Sequence, residues 1–304
     1  MTHVETEIAS QPECWERAAG LTSSPGLPSP GERVAVVGCG TSWFMGQAYA
    51  VLREQSGQGE TDAFQASEFP IDRRYDRVVA ITRSGTTTEV LDVLGACKSP
   101  TTVLTADPAQ PAVSLADDAV VLDFADEQSV VQTRFATSVL ALLRATVGEE
   151  IGPAACDAEV AVRLPLPVRT DTTQITFLGR GWTVGLANEA ALKCREAAML
   201  WAESYPAMDY RHGPISIAAP GRVVWAFGDV PAHLADDVEA TGASFVHARH
   251  HGGYGAIGRW CGGRSPLDPM ADLIVAQRVA IALAAAQGLD PDHPRNLTRS
   301  VVLA

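Results

Sequence analysis

Residues 33–42 read RVAVVGCGTS, and this stretch decides the fold of the 304-residue chain. A short apolar run ends in a Gly-x-Gly turn, and a helical pattern follows to about Glu54. Residues 174–183, QITFLGRGWT, repeat the arrangement about 140 residues later and precede a helical pattern to about Glu203, which predicts a duplicated unit.

Short Val- and Ile-rich runs alternate with helical patterns inside each unit. In the first half these runs are residues 33–37, 77–82, 101–105 and 119–123, and 77–82 has a counterpart at 222–227. Continuous apolar runs separated by helices are typical of parallel strands that are covered on both faces. We therefore expect an α/β protein with two doubly wound parallel sheets related by internal duplication.

Proline, glycine and serine mark the predicted domain boundaries. We expect an N-terminal helix and linker in residues 1–30 and a first domain in 31–150. A linker would occupy 151–170, and a second domain with a C-terminal tail would occupy 171–304.

Composition and charge exclude several classes of protein. Hydrophobic residues make up 46 % of the chain, which excludes intrinsic disorder. The net charge of −13 argues against nucleic acid or an anionic membrane as partner, although backbone amides can still bind a small anion. No apolar run approaches the roughly 20 residues that span a bilayer. The first ten residues lack the basic start of a secretory signal, so we expect a cytoplasmic protein.

The six cysteines are widely spaced and include no Cys-x-x-Cys pair. We therefore expect six reduced thiols and no metal site. A nicotinamide cofactor is also disfavoured, because Trp43 stands where the dinucleotide fingerprint has its third glycine.

The segment 82–88 carries five hydroxyl side chains around Gly85, at the end of a predicted strand and the start of a predicted helix. Hydroxyls, free backbone N–H groups and the helix dipole together suit phosphate oxygens. Arg83 can add a charge-assisted contact. The alternative is a helix start with more capping groups than it needs. The turn at 38–42 is weaker evidence, because a plain strand-to-helix turn has the same pattern.

Glu189, Lys193 and Glu196 share one face of the predicted second-half helix, with apolar residues around them. A solvated charged stripe is the usual interpretation of such spacing. However, the stripe is narrow and Lys193 is one of only two lysines, so a half-buried general base is the competing interpretation. His212 lies in a predicted loop before Gly213-Pro214, and a lone histidine is more often structural than catalytic.

Together these motifs closely resemble the sugar isomerase (SIS) family, and within it the isomerase half of glucosamine-6-phosphate synthase. The resemblance runs nearly from end to end. Its motifs are residues 7–12 (EIASQP), 39–42 (CGTS), 83–87 (RSGTT), 178–181 (LGRG), 189–196 (EAALKCRE), 211–214 (RHGP) and 294–301 (PRNLTRSV).

The resemblance implies tandem SIS domains and roles for individual residues. Glu196 would move a proton between C1 and C2, and His212, supplied by the partner of a homodimer with a shared active site, would assist ring opening. Glu189 and Lys193 would order the site, and the tail around Arg299 would close over it. The implied substrate-binding residues are Gly40, Thr41, Ser42, Thr82, Arg83, Ser84, Thr87 and Gln132.

Three departures from the synthase pattern bear on the substrate. The synthase has Gln at Arg83 and Lys at Arg299, and an arginine does not readily form an imine with a keto sugar. An arginine at position 83 is closer to the pattern of the stand-alone deaminases and isomerases of amino-sugar phosphates. Gln132 stands where the synthase loop has Ser.

The resulting hypothesis is aldose–ketose isomerisation of a hexose or hexosamine 6-phosphate, with or without deamination, and without glutaminase activity. The chemistry calls for no metal or organic cofactor. The alternatives are a sugar-phosphate sensor without catalysis and a fructosamine-phosphate deglycase. A sensor needs the hydroxyl loop but neither Glu196 nor His212.

Overall fold

A computed structural model describes residues 2–248 and 267–303 as an α/β protein with two parallel sheets. Within these residues the first sheet has the strand order β2-β1-β3-β4-β5 and the second has the order β7-β6-β8-β9. The strands are β1 (Val34–Gly38), β2 (Thr61–Gln65), β3 (Arg77–Ile81), β4 (Thr101–Thr105), β5 (Asp118–Val121), β6 (Gln174–Gly179), β7 (Trp201–Pro206), β8 (Arg222–Ala226) and β9 (Ser244–His247). All the strand pairs are parallel, which confirms the predicted fold class.

Helices cover the sheets. They are α1 (His3–Ala9), α2 (Gln11–Ala19), α3 (Thr41–Gln55), α4 (Thr88–Ala96), α5 (Pro111–Leu115), α6 (Arg134–Thr146), α7 (Gly152–Ala161), α8 (Thr183–Ala198), α9 (Leu234–Glu239) and α10 (Pro269–Ala286). The main core lies among α3, α6, α8 and α10 and extends under α2 and α7.

The sequence missed β2, β7 and β9, and all three are edge strands. Strand β2 reads TDAFQ and β7 reads WAESYP, and only one residue of each is buried. An edge strand need not be apolar on both faces, so it lacks the continuous apolar run that marked the central strands. Helix α8 also ends earlier than predicted, at Ala198, because Met199 adopts a left-handed conformation with φ of 50°.

The first helices of the two units, α3 and α8, pack directly against each other. Gly185 allows this close approach, since a Cβ there would lie 2.4 Å from the carbonyl oxygen of Phe44. The packing brings the acidic face of α8 to the start of α3. The duplicated architecture thus places elements of both units at one site.

The segment between the two sheets is partly helical, and it carries one cysteine whose predicted state needs correction. The predicted linker 151–170 contains α7, which packs on α10 and α2. Helix α7 carries Cys156, and this residue is disulfide-bonded, so the prediction of six reduced thiols is wrong there. Sequence spacing did not show it, because the fold determines which cysteines meet. Cys14, Cys39, Cys97 and Cys194 are free, and Cys261 lies outside the described residues.

Helix α10 is one helix in the described residues that is long and apolar enough to cross a membrane by length and composition. Asp272 and Arg278 interrupt its apolar residues, so the sequence did not indicate a membrane-spanning run here. Of its 18 residues, 72 % are buried inside the protein, where the helix packs against α8 and α7. Its apolar character is therefore accounted for by its place in the core.

Candidate active site

The loops that follow β1 and β3 meet at one edge of the first sheet, because these strands are parallel neighbours. Together with α8 and the C-terminal tail they enclose a cavity of about 190 Å³. The predicted site residues that line it are Gly40, Thr41, Ser42, Thr82, Arg83, Ser84, Thr87, Gln132, Lys193, Glu196 and Arg299. The cavity thus brings together the hydroxyl loop and the acidic face of α8, which the sequence had linked only through the family resemblance.

The hydroxyl loop has the geometry of an anion site. Thr87 is the N-cap of α4, and Gly85 makes the turn with φ of +65°, where a Cβ would lie 2.5 Å from Gln110. The hydroxyl of Thr82 is buried and has no hydrogen-bond partner among the described residues. The start of α3 adds Ser42, and neither α3 nor α4 has a side-chain cap at its start. Helix starts without such a cap favour an anionic group.

Arg83 borders the cavity, but its guanidinium is held by the protein. Its side chain has no exposed surface, and it donates at 3.0 Å to the carbonyl oxygens of Ser129 and Arg299. Glu127, which is also fully buried, lies 3.7 Å away. Burial raises the pKa of Glu127, and the nearby Arg83 opposes that rise. The contacts of its two end nitrogens are within the protein, and the phosphate contact that the sequence predicted for Arg83 stays a prediction.

Arg299 is likewise directed at the protein. Its guanidinium forms an ion pair with Asp126 at 2.5 Å and donates to the carbonyl oxygen of Glu127. The next residue, Ser300, lies 3.1 Å from the hydroxyl of Ser84 and 2.9 Å from that of Thr86. The tail therefore covers the hydroxyl loop, as the sequence analysis expected of the segment around Arg299.

Lys193 links the two carboxylates of α8. Its Nζ lies 3.3 Å from Glu189 Oε1 and 2.6 Å from Glu196 Oε2, and it donates to the Thr41 hydroxyl at 3.1 Å. Glu189 and Lys193 are each 1 % exposed, whereas the Glu196 side chain is 19 % exposed and faces the cavity. The stripe is thus buried at one end, and the solvated interpretation does not hold for it.

The two buried groups have perturbed pKa values. Burial raises the pKa of Glu189 to about 7; Lys193 opposes this rise and Glu196 adds to it. Burial alone would lower the pKa of Lys193, but the two carboxylates outweigh it and raise that pKa. The ammonium therefore stays charged, and Glu196 lies next to a fixed positive charge.

Curated relatives share this chain's sequence over nearly its whole length. It is 27 % identical to glutamine–fructose-6-phosphate aminotransferase [isomerizing] of Thermosynechococcus vestitus, over 93 % of this chain and 54 % of the relative. It is 26 % identical to the protein of that name from Caulobacter vibrioides, over 99 % of this chain and 58 % of the relative. The chain spans about half the length of the curated relatives it matches. A scan against protein-family models finds no match.

Solved structures share the fold. Glucosamine-6-phosphate deaminase from Thermotoga maritima superposes with a TM-score of 0.78 at 24 % identity, covering 99 % of this chain and all of that one. Tagatose-6-phosphate ketose/aldose isomerase from Escherichia coli gives 0.74 at 20 % identity, covering 97 % and 98 %. The chain thus resembles the SIS family in sequence and shares the fold of solved phosphosugar isomerases. Both units of the SIS fold are present, and the cavity lies where α3 of one unit meets α8 of the other.

His212, which the resemblance implies to be a site residue, does not line the cavity of its own chain. It lies in a 3₁₀ turn, Asp209–His212, that follows edge strand β7, and it is exposed. Glu189 does not line the cavity either, but it lies behind Lys193 in the same cluster. The expectation that His212 acts in the site of a partner chain stays a prediction.

Sequence reasoning missed the acids that support the site, Glu7 and Glu127. Glu7 of α1 accepts hydrogen bonds from the backbone N–H groups of Gln128 and Ser129, and Glu127 accepts from those of Thr133 and Arg134. Neither acid differs in sequence from a solvated surface residue, so no local signal marked them. Among residues 2–248 and 267–303, no group of three or more His, Cys, Asp or Glu has the arrangement of a metal site.

Proposed function

We propose that this protein is an aldose–ketose isomerase that acts on a hexose or hexosamine 6-phosphate. One observation carries the proposal. Glu196, the partly exposed acid of the Glu189–Lys193–Glu196 cluster, lines the same cavity as the hydroxyl loop of Thr82, Ser84 and Thr87. An isomerase of this class needs a base and an anion site within the span of one small molecule.

The anion site would hold the phosphate. The hydroxyls of Ser42, Thr82, Ser84 and Thr87 line the cavity and would donate to its oxygens, next to the starts of α3 and α4. These donors need no positive side chain, because the two helix dipoles favour a negative charge. The chain's net charge of −13 is therefore no obstacle to binding an anionic substrate.

The base would be Glu196. Its carboxylate removes the proton from C2 of the open-chain aldose. The electron pair of that C–H bond forms the C1–C2 double bond, and the π pair of the C1 carbonyl moves to its oxygen, which gives a cis-enediolate. Transfer of the C2 hydroxyl proton to the C1 oxygen and return of the first proton to C1 give the ketose; with an amino sugar the intermediate is an enolamine. Lys193, with Thr41 beside it, is the cation that can stabilise the developing negative charge.

The substrate class is supported by what the relatives are called. The names of the aminotransferase, the deaminase and the ketose/aldose isomerase all contain a hexose or hexosamine 6-phosphate. Deamination at C2 would follow from the same enolamine, because return of the proton to C1 converts it to a C2 imine. Addition of water to that imine then releases ammonia and leaves a ketone at C2. Isomerisation is therefore the proposed reaction, and an ammonia assay tests whether deamination accompanies it.

A panel of hexose and hexosamine 6-phosphates tests the proposal. Each compound is incubated with the protein in D₂O and followed by NMR for deuterium at C2, and ammonia is assayed in parallel. We expect C2 exchange with at least one compound, and loss of that exchange in Glu196→Gln. The control variant, Glu203→Gln, changes an acid of β7 that does not line the cavity, and we expect it to retain the wild-type exchange. Tight binding of a phosphosugar without C2 exchange would favour the sensor. Release of an amine from a fructosamine phosphate would favour the deglycase.

A further inference from the structure

Arg83 stands at the centre of a buried cluster that joins three segments of the chain. It follows β3, and it donates to the carbonyl oxygen of Ser129 in the loop before α6 and to that of Arg299 in the tail. The carboxylate of Glu127 lies 3.7 Å from the same guanidinium. The end nitrogens that could present a fork to phosphate are therefore engaged by backbone carbonyls.

The loop contacted by Arg83 is held from its other side as well. Glu7 accepts hydrogen bonds from the backbone of Gln128, at 2.5 Å, and of Ser129. Glu127 accepts one from the backbone of Thr133, also at 2.5 Å. Because this loop carries Gln132 into the cavity wall, its position shapes the space beside the hydroxyl loop.

The tail, in contrast, has little apolar anchorage. Val301, Val302 and Leu303 are 52 %, 67 % and 61 % exposed. Polar contacts hold this segment. Arg83 donates to the carbonyl oxygen of Arg299, and the Arg299 side chain is ion-paired with Asp126. The Ser300 hydroxyl contacts that of Ser84, and the backbone of Val301 and Leu303 is hydrogen-bonded to Thr88. The donor of the Arg83 hydrogen bond is a charged side chain with no exposed surface, whereas the side chains of Arg299 and Asp126 are 41 % and 40 % exposed. A hydrogen bond from a buried charged donor contributes more than an exposed ion pair.

We infer that Arg83 is a positioning residue that fixes the tail and the 127–134 loop against the hydroxyl loop, and that it does not bind the substrate phosphate. The inference rests on the proposed function for the identity of the cavity. An arginine suits this role because its planar fork serves two carbonyl groups at once and keeps its charge opposite Glu127. A lysine can keep the charge, but it offers one ammonium in place of a two-pronged fork.

Hydrogen–deuterium exchange of the full-length, ligand-free protein tests the positioning role. The key variant is Arg83→Lys, which keeps a positive charge next to Glu127. We expect the peptide 295–304 to exchange about tenfold faster or more than in the wild type, the loss that follows from breaking a hydrogen bond to a charged donor. Arg77→Gln is the matched control, since Arg77 is a partly buried arginine in β3 that is ion-paired away from the cavity.

A second variant guards against loss of folding. The double substitution Arg83→Gln with Glu127→Gln removes both charges, so no unpaired buried carboxylate remains. We expect its tail to exchange as fast as that of Arg83→Lys, with the core peptides of β1 and β3 protected as in the wild type. Tail exchange at the wild-type rate in Arg83→Lys and in this double variant would overturn the inference.

Calorimetric titration with inorganic phosphate separates positioning from contact. If Arg83 only positions the tail, the dissociation constant of phosphate in the double variant stays within about threefold of the wild type, because the hydroxyls and helix starts remain. A loss of about tenfold or more would assign a phosphate contact to Arg83 and overturn the inference. If the wild type binds neither phosphate nor any phosphosugar, the proposed function fails, and the exchange experiment still decides the role of Arg83.

Discussion

The ammonium of Lys193 lies 2.6 Å from Oε2 of Glu196, although Lys193 is almost fully buried and Glu196 faces the cavity. A fixed positive charge is thus held beside a carboxylate that a ligand can reach. Glu189, on the far side of the ammonium, completes the cluster. In the proposed reaction this arrangement gives one acid access to the substrate and uses the other to hold the lysine.

Substituting Glu196 with Gln should remove proton transfer and preserve binding. Glutamine keeps the size and the hydrogen-bonding capacity but is not a base, and loss of a general base costs roughly 10²- to 10⁴-fold in rate. NMR of C2 exchange measures the rate, and calorimetry measures phosphosugar affinity. Normal turnover by this variant would show that the base has been wrongly assigned.

Glu189 should make the stability of the protein depend on pH. Burial raises its pKa from 4.5 to about 7 in the folded state. Between these pH values the folded protein holds a proton that the unfolded chain has lost, so the free energy of unfolding falls as pH rises. From pH 5 to pH 8 we expect the free energy of unfolding to fall by roughly 2–3 kcal/mol more in the wild type than in Glu189→Gln. Urea denaturation at both pH values measures it, and equal losses in the two proteins would contradict the prediction.

Removal of the Ser84 hydroxyl should weaken phosphate binding. Its position in the hydroxyl loop makes it a donor to a charged oxygen, a contact worth on the order of 1.5–3 kcal/mol. Calorimetry with inorganic phosphate compares Ser84→Ala with Ser56→Ala, a serine at the end of α3 whose hydroxyl bonds the local backbone. Unchanged affinity in Ser84→Ala would mean that the anion binds elsewhere.

Mixing two inactive variants should restore activity if His212 serves the cavity of a partner chain. His212 is exposed and does not line its own chain's cavity. In a homodimer with shared sites, an equal mixture of Glu196→Gln and His212→Asn contains intact sites amounting to about a quarter of the total. Light scattering should then give about twice 32.1 kDa. A fully active monomer, or a mixture that stays inactive after subunit exchange, would disprove the shared site.

The sequence by itself determined the central strands, the two Gly-x-Gly turns and the acidic face of α8. These features follow from local periodicity and from residues near one another in the chain, such as Glu189, Lys193 and Glu196 on one helix. The juxtaposition of this face with the hydroxyl loop came only from the family resemblance. The structure supplies its physical basis in the close packing of α3 on α8 at Gly185.

Only the tertiary structure decided where the buried charges point. Arg83 reads in sequence as a phosphate ligand, yet its guanidinium reaches a carbonyl 216 positions away. Glu127 reads as a surface acid, yet it is fully buried against Arg83. The edge strand β2 and the disulfide at Cys156 were missed for a related reason. Contacts between residues distant in sequence, and the burial that such contacts create, leave no periodic signal in the chain, because they depend on how complete elements pack together.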